Sequence, residues 1–114
     1  MARGDVVMVE FPEPAGKSGR EQLGRRPAIA VQTDDAPGLP TLMVIPLTSQ
    51  LSALRFPFTL RIEPSNQNGL TMPSALLVFQ LRAIDRLRVS RTIGRLESRY
   101  LDGLDDLLRR LLRL

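Results

Sequence analysis

The sequence predicts a mainly β domain of the α+β class, in which short antiparallel strands curl into a small barrel and one helix closes the C-terminus. Three observations predict it. Short stretches rich in β-branched and apolar residues recur along the chain, each ended by Gly, Pro, Asn or Asp. A helical repeat of leucines is confined to the last part of the chain. The length, 114 residues, suits one domain spanning 1–114, with no repeats or linkers. Short strands of this kind tend to close on themselves.

Residues 5–11 (Asp-Val-Val-Met-Val-Glu-Phe) read as the first strand, apolar on both sides and so buried on both faces. Pro12 and Pro14 stop it. Residues 12–24 form a loop, because their prolines and glycines forbid regular structure. It carries Lys17, Arg20, Glu21 and Gln22, a set able to reach phosphates and base edges. Residues 25–33 make the second strand, with Pro27 near its start where no ladder N–H is needed. Residues 34–40 are a turn by their Asp, Gly and Pro content. The third strand, 41–47, is expected to be interrupted late by Pro46.

One helical turn over 52–55 leads to a fourth strand over 56–62, with Phe58, Leu60 and Ile62 on one face. Residues 63–69 are a turn. One strand is expected over 76–84 and a shorter one over 87–93. A helix from about Ser98 to Leu112 follows. Leu101, Leu104, Leu108 and Leu111 form its apolar face, widened by Leu107 and Leu112. Asp102, Asp105 and Asp106 precede Arg109, Arg110 and Arg113, an order that complements the helix dipole. This helix is expected to cap the sheet.

Composition narrows the chemistry. The chain has no histidine and no cysteine, so the commonest acid–base group, the thiol nucleophile and the usual zinc ligands are missing. The carboxylates show no metal-loop spacing, and neither a metal nor a cofactor is expected. No apolar run approaches the ~18 residues of a membrane helix, and the opening residues run straight into a strand. We therefore expect no signal peptide, no membrane contact and a cytoplasmic location. Net charge is +4, and Lys17 is the only lysine. Arginine's planar fork matches phosphate and stacks on bases. Arg82, Arg86, Arg88, Arg91, Arg95 and Arg99 face only Asp85 and Glu97 between 82 and 99, a cationic stripe suited to a polyanion.

Six segments, in order, carry a resemblance. They are Arg3-Gly4-Asp5-Val6-Val7, Arg20-Glu21-Gln22, Arg25-Arg26-Pro27, Ile45-Pro46-Leu47-Thr48-Ser49-Gln50, Gln80-Leu81-Arg82-Ala83-Ile84-Asp85 and Ile93-Gly94-Arg95-Leu96. Together they span nearly the whole chain, which resembles the MazF/PemK family of toxins from bacterial toxin–antitoxin pairs. The resemblance implies an SH3-like barrel of the CcdB/PemK kind that forms a homodimer. It implies a metal-independent, sequence-selective endoribonuclease acting on single-stranded mRNA, blocked by a cognate MazE-like antitoxin. Attack by the RNA's own 2′-OH would leave a 2′,3′-cyclic phosphate and a 5′-OH.

Residue by residue, the resemblance assigns catalysis to Arg26, before the second-strand proline, to Thr48, after the third-strand proline, and to the loop Glu21. The RNA surface is expected to include Lys17, Arg20, Gln22, Arg25, Ser49, Gln50, Gln80 and Arg82. Taken alone, Arg26 reads as a surface ion-pairing residue and Thr48 as a strand-end cap; the set of matches assigns them. Two positions depart from the family. Arg20 stands where many members have serine, and Phe79 stands where an acidic residue often precedes the later glutamine. Both alter the expected RNA-facing rim, so base preference does not carry over. Two other readings compete: a CcdB-like gyrase-binding toxin without nuclease activity, and a family member that binds RNA without cutting it.

Overall fold

A computed structural model describes residues 1–11, 24–35 and 37–114. The segment bearing Lys17, Arg20, Glu21 and Gln22 lies outside these residues. Seven strands and one helix follow in order: β1 (Asp5–Glu10), β2 (Arg25–Ala30), β3 (Thr41–Thr48), β4 (Thr59–Ile62), β5 (Ser74–Leu77), β6 (Arg82–Asp85), β7 (Val89–Arg95) and α1 (Ser98–Leu112). Short 3-10 turns occupy Leu51–Arg55, Val78–Gln80 and Arg86–Arg88. The strands pair antiparallel in the order β4-β5-β3-β2-β1-β7, and β6 adds to β3 off that path. The sheet is strongly barrel-like but not closed by ladder pairing, because β4 and β7 stay at its ends.

Apolar alternation builds two cores. Val6, Ile29, Ile45, Leu47, Ile62, Leu76, Leu96 and Leu104 pack on one face of the sheet, where α1 covers them. Val7, Val9, Ala28, Ala30, Leu42, Val44 and Ile84 pack on the other. β1 therefore contributes buried valines to both faces, as its sequence requires. In α1 only Leu104 is fully buried, with Leu101, Leu107, Leu108 and Leu111 partly so.

Several expectations change. Pro46 does not interrupt β3, which runs through to Thr48. The Val31 N–H donates to the Met43 carbonyl (3.0 Å), so the odd-numbered backbone groups of β3 face β2. Those of Pro46 face the other edge, where β6 has ended at Val44 and β5 begins at Leu47. The missing N–H thus falls in a gap between two partners. The single strand expected over 76–84 is two strands, because a 3-10 turn at Val78–Gln80 carries the chain from one to the other. β4 starts at Thr59, not residue 56: Phe58 is left-handed (φ 60°), which breaks extension. β2 ends early, at Ala30. The last strand starts at Val89, because Leu87 sits in the preceding 3-10 turn, 91% exposed. Leu112 is 49% exposed and does not widen the packed face of α1. The first turn of α1 holds no acidic residue; Asp105 instead accepts from Arg3 Nη2 at 2.6 Å.

The chain between β4 and β5 closes the remaining side. Gln67 accepts a hydrogen bond from the Arg95 N–H (2.8 Å), lashing this segment to the end of β7. A Cβ at Gly69, which is left-handed (φ +75°), would overlap the Ile93 carbonyl. The approach is that close because Gly94, opposite, also lacks a side chain.

Candidate active site

The site grows from the end of β3. Ala28 lies opposite Pro46 and Ala30 opposite Val44. The ladder stops at Ala28, but the same register carried two residues on would set Arg26 opposite Thr48, and both line one cleft. Residues two apart share a face of a strand, so both side chains lie on the side of Ala28, Ala30 and Val44. The sheet core ends there, and the next pair is polar. Gly24 (φ +72°) sets the start of β2, since a Cβ would overlap the Phe11 carbonyl, and its own carbonyl accepts from the Phe11 N–H (2.9 Å). That clamp fixes where Arg25 and Arg26 emerge.

A cleft of about 330 Å³ opens at this rim, lined by Arg25, Arg26, Thr48, Ser49 and Gln50 over Pro27 and Leu47. Its far wall is Leu70, Thr71, Met72 and Ser74. Arg26 is exposed, and its side chain makes no hydrogen bond or ion pair with any described residue. Arg25 is loosely tied to Glu10 at 3.7 Å. Thr48 is half-buried, and its Oγ1 accepts from the Gln50 N–H at 3.2 Å. That bond uses a lone pair and leaves the hydroxyl proton free to donate into the cleft. Among the described lining residues there are two cations and no carboxylate. No group of three or more His, Cys, Asp or Glu is placed to hold a metal among the described residues.

The far wall carries no motif, and sequence reading missed it. Ala75 pairs with Thr48, which brings Ser74 and the residues before it to the cleft. Asn68 holds this wall and is fully buried. Its Oδ1 accepts from the N–H groups of Ser65 (3.1 Å) and Leu70 (3.0 Å). Its Nδ2 donates to the Glu63 carbonyl (3.0 Å) and to Glu97 Oε1 (3.1 Å). Ser65 Oγ donates to the other Glu97 oxygen at 2.6 Å. Burial alone would raise the Glu97 pKa, but the hydrogen bonds from Ser65, its own backbone and Asn68, with the charge of Arg99, hold it below its ordinary 4.5. The sequence marks residues 63–69 as a turn, but nothing in it tells that the Asn68 side chain faces inward.

Of the expected RNA surface, Arg25, Ser49 and Gln50 share the cleft with Arg26 and Thr48. Gln80 and Arg82 do not line it. Arg82 lies opposite Val44 on the same face, four residues down β3 from Thr48, about 13 Å at strand rise. Its guanidinium stacks over the Phe11 ring at 5.0 Å. The stripe expected over 82–99 is not one surface. Arg88 lies beside Glu10 at the cleft end of the sheet. Arg86 Nε donates to the Leu39 carbonyl (2.7 Å). Arg95 faces Asp5 (3.7 Å) at the opposite end of β1, and Arg99 stacks over Tyr100. The turn at Arg86–Arg88 and the length of β7 spread these charges over both ends.

Known proteins resemble this chain in sequence and fold. Residues 2–112 match the family described as PemK-like, MazF-like toxin of type II toxin-antitoxin system. The endoribonuclease EndoA of Bacillus subtilis is 30% identical over 107 residues, covering 93% of this chain and 89% of the relative. The endoribonuclease MazF9 of Mycobacterium tuberculosis is 31% identical over 115 residues, covering 96% and 93%. The MazE–MazF structure from Deinococcus radiodurans superposes with a TM-score of 0.74 at 24% identity, over 100% of this chain and 96% of the other.

Proposed function

The chain belongs to the PemK/MazF family of type II toxins, and from that premise we propose how it cuts RNA. The protein is a toxin of a toxin–antitoxin pair and an endoribonuclease, the activity for which its relatives EndoA and MazF9 are named. Its substrate is single-stranded RNA. The observation that carries the site is the pairing of an unpartnered guanidinium, Arg26, with a hydroxyl, Thr48, on one face at the rim of one cleft.

The chemistry asks little of the protein, because RNA brings its own nucleophile. The 2′-oxygen forms a bond to the adjacent phosphorus as the bond from phosphorus to the 5′-oxygen breaks. The 2′-OH loses its proton, and the leaving 5′-oxygen gains one. The products are a 2′,3′-cyclic phosphate and a 5′-OH. The enzyme must hold the 2′-oxygen in line and stabilise charge on the phosphoryl oxygens. Arg26 supplies a permanently charged fork for two of those oxygens. Thr48, with one lone pair engaged by Gln50, donates its proton to a phosphate oxygen. A guanidinium holds its proton too tightly to be a good proton carrier. Glu21 is the conventional base that the resemblance assigns, and that role is part of the proposal.

Arg25, Ser49 and Gln50 bind the strand inside the cleft. Lys17, Arg20 and Gln22, in the sequence between β1 and β2, extend the track together with Gln80, in the 3-10 turn after β5, and Arg82, on β6. The toxin works in the cytoplasm as a homodimer, its whole chain forming one domain. A cognate antitoxin of the MazE kind occupies the RNA surface and silences it, in line with the Deinococcus MazE–MazF complex. Among the described residues no helix is long and apolar enough to cross a membrane.

The test is incubation of purified protein with a long transcript in EDTA, followed by mapping of the ends. Cuts bearing 5′-OH groups that disappear in Arg26→Ala and Thr48→Val are the expected result. Cleavage that survives Arg26→Ala rejects the assigned site. An uncut transcript with altered DNA supercoiling would favour the gyrase-binding reading instead.

A further inference from the structure

We propose that Phe56 and Phe79 form an aromatic platform on which a base of the bound RNA stacks, beyond the cleft that cuts it. Among the described residues these are the only two rings in contact, with centroids 5.6 Å apart in an edge-to-face arrangement. Both are substantially exposed, Phe56 at 44% and Phe79 at 40%. Two open phenylalanines side by side would ordinarily be withdrawn from water, so their exposure calls for an occupant. The Arg55 guanidinium lies 4.8 Å over the Phe56 ring, putting a cation beside the open aromatic surface. An apolar ring face next to a fixed positive charge matches a nucleotide, which joins a flat base to a phosphate.

The position links this surface to the cleft. Gln50, in the cleft, and Phe56 flank the same 3-10 turn, Leu51–Arg55. Five residues at its ~2 Å rise span about 10 Å, the length of about three stacked nucleotides. Phe79 lies two residues beyond the end of β5, whose start lines the same cleft through Ser74. A single strand leaving Arg26 and Thr48 along the turn therefore reaches the rings within a few nucleotides. The inference rests on the RNA-cleaving reading for its ligand and on the ring geometry for its place.

The test uses the full-length protein and a mixed-sequence oligonucleotide with 2′-fluoro sugars, which cannot be cut, carrying 5-iodouracil. Irradiation is expected to crosslink a base to the peptide holding Phe79 or Phe56. Phe79→Leu should remove that crosslink and weaken binding roughly tenfold, the scale of one base–aromatic stack. Phe79→Tyr should retain both. Crosslinks that map only elsewhere, with Phe79→Leu binding as tightly as wild type, overturn the proposal. So does a Phe79→Leu variant changed only in its oligomeric state, because the rings would then belong to self-association. Cleavage of ordinary RNA in EDTA is scored separately. A cutting enzyme indifferent to Phe79→Leu sinks the platform and leaves the nuclease standing. A protein that crosslinks through the rings without cutting does the reverse.

Discussion

Asn68 offers the sharpest check on how the cleft is built. Asn68→Ala removes both its acceptor and its donors at once. The Leu70 N–H is left buried with no partner, and the Ser65 N–H and Glu63 carbonyl are left partly buried without theirs. An unsatisfied buried group costs about 1–3 kcal/mol. Taking Leu70 near the middle of that range and the other two near its foot gives about 3–4 kcal/mol. For a domain whose total stability is about 5–15 kcal/mol, that is a large share. The corresponding fall in melting temperature is roughly 10–20 °C. Denaturant unfolding of the variant and wild type measures the free-energy loss, and thermal melts measure the shift. The Asn68→Asp variant sharpens the argument. It keeps the two accepted bonds but loses both donated ones, and it sets a second carboxylate against Glu97. Its deficit should therefore shrink as pH falls and one carboxyl takes a proton. A loss under ~1 kcal/mol for Asn68→Ala, or a pH-independent deficit for Asn68→Asp, would refute the account of this wall.

Other outcomes follow from the same geometry. Arg26 has no described partner, so Arg26→Ala should leave stability within ~0.5 kcal/mol. The same substitution should cut the cleavage rate by about 10²–10³-fold, the scale of one lost charge-stabilising donor; equal losses of both would mean a structural residue. RNA affinity should fall with salt, with a log–log slope near −2 if Arg25, Arg26 and Arg82 each meet a phosphate, at about −0.7 per contact on a single strand. Arg82→Gln should flatten that slope by about 0.7, whereas Arg95→Gln, at the far end and facing Asp5, should not change it. Glu97 is held below its ordinary pKa in the fold. The unfolded chain then binds the proton more readily, so the Glu97 contribution is complete above about 4.5 and lost as pH drops through the folded value. Glu97→Gln should flatten the acid limb of the stability–pH curve.

What could be read in the sequence was whatever is local. The leucine spacing of α1 needs only its own residues, and its bounds came out as the periodicity drew them. Arg26 and Thr48 could be singled out because one precedes Pro27 and the other follows Pro46 by two residues, as the resemblance requires; the structure brings both to one cleft. Non-local features escaped. Pro46 looks like an interruption when the neighbours of β3 are unknown. It is accommodated only because β3 exchanges β6 for β5 beside it. The run from Leu76 to Ile84 has the composition of one strand, and nothing in it marks the turn at Val78–Gln80. The arginines from 82 to 99 look like a stripe in one dimension. The fold sends Arg82 towards Phe11 and Arg95 towards Asp5, at opposite ends of β1.

The exchange of partners along β3 also explains why the candidate cleft opens where it does. A strand paired on both edges throughout would bury its ladder and present side chains only to the two cores. Here the β6 edge ends at Val44, the β5 edge begins at Leu47, and β2 pairs as far back as Ala28. Thr48 is therefore the last residue of β3 held in place, gripped by Ala75 on one edge and capped by the Gln50 N–H. Arg26 is still tied to β1 through its pairing with Val9, and Arg25 beyond it is paired with Glu10. Both side chains ride on paired backbone yet face a rim with no further strand to cover them. Rigid support from behind and open access in front are what electrostatic stabilisation requires, because a donor that must reorganise to meet developing charge loses much of its effect. Loosening the register of β3, more than trimming the cleft's polar rim, should then be the most damaging change. Leu47→Gly, which strips a buried side chain one residue from Thr48, should cost more activity than Ser49→Ala even at temperatures where both proteins stay folded. Equal losses would mean that the pair does not depend on the strand that holds it.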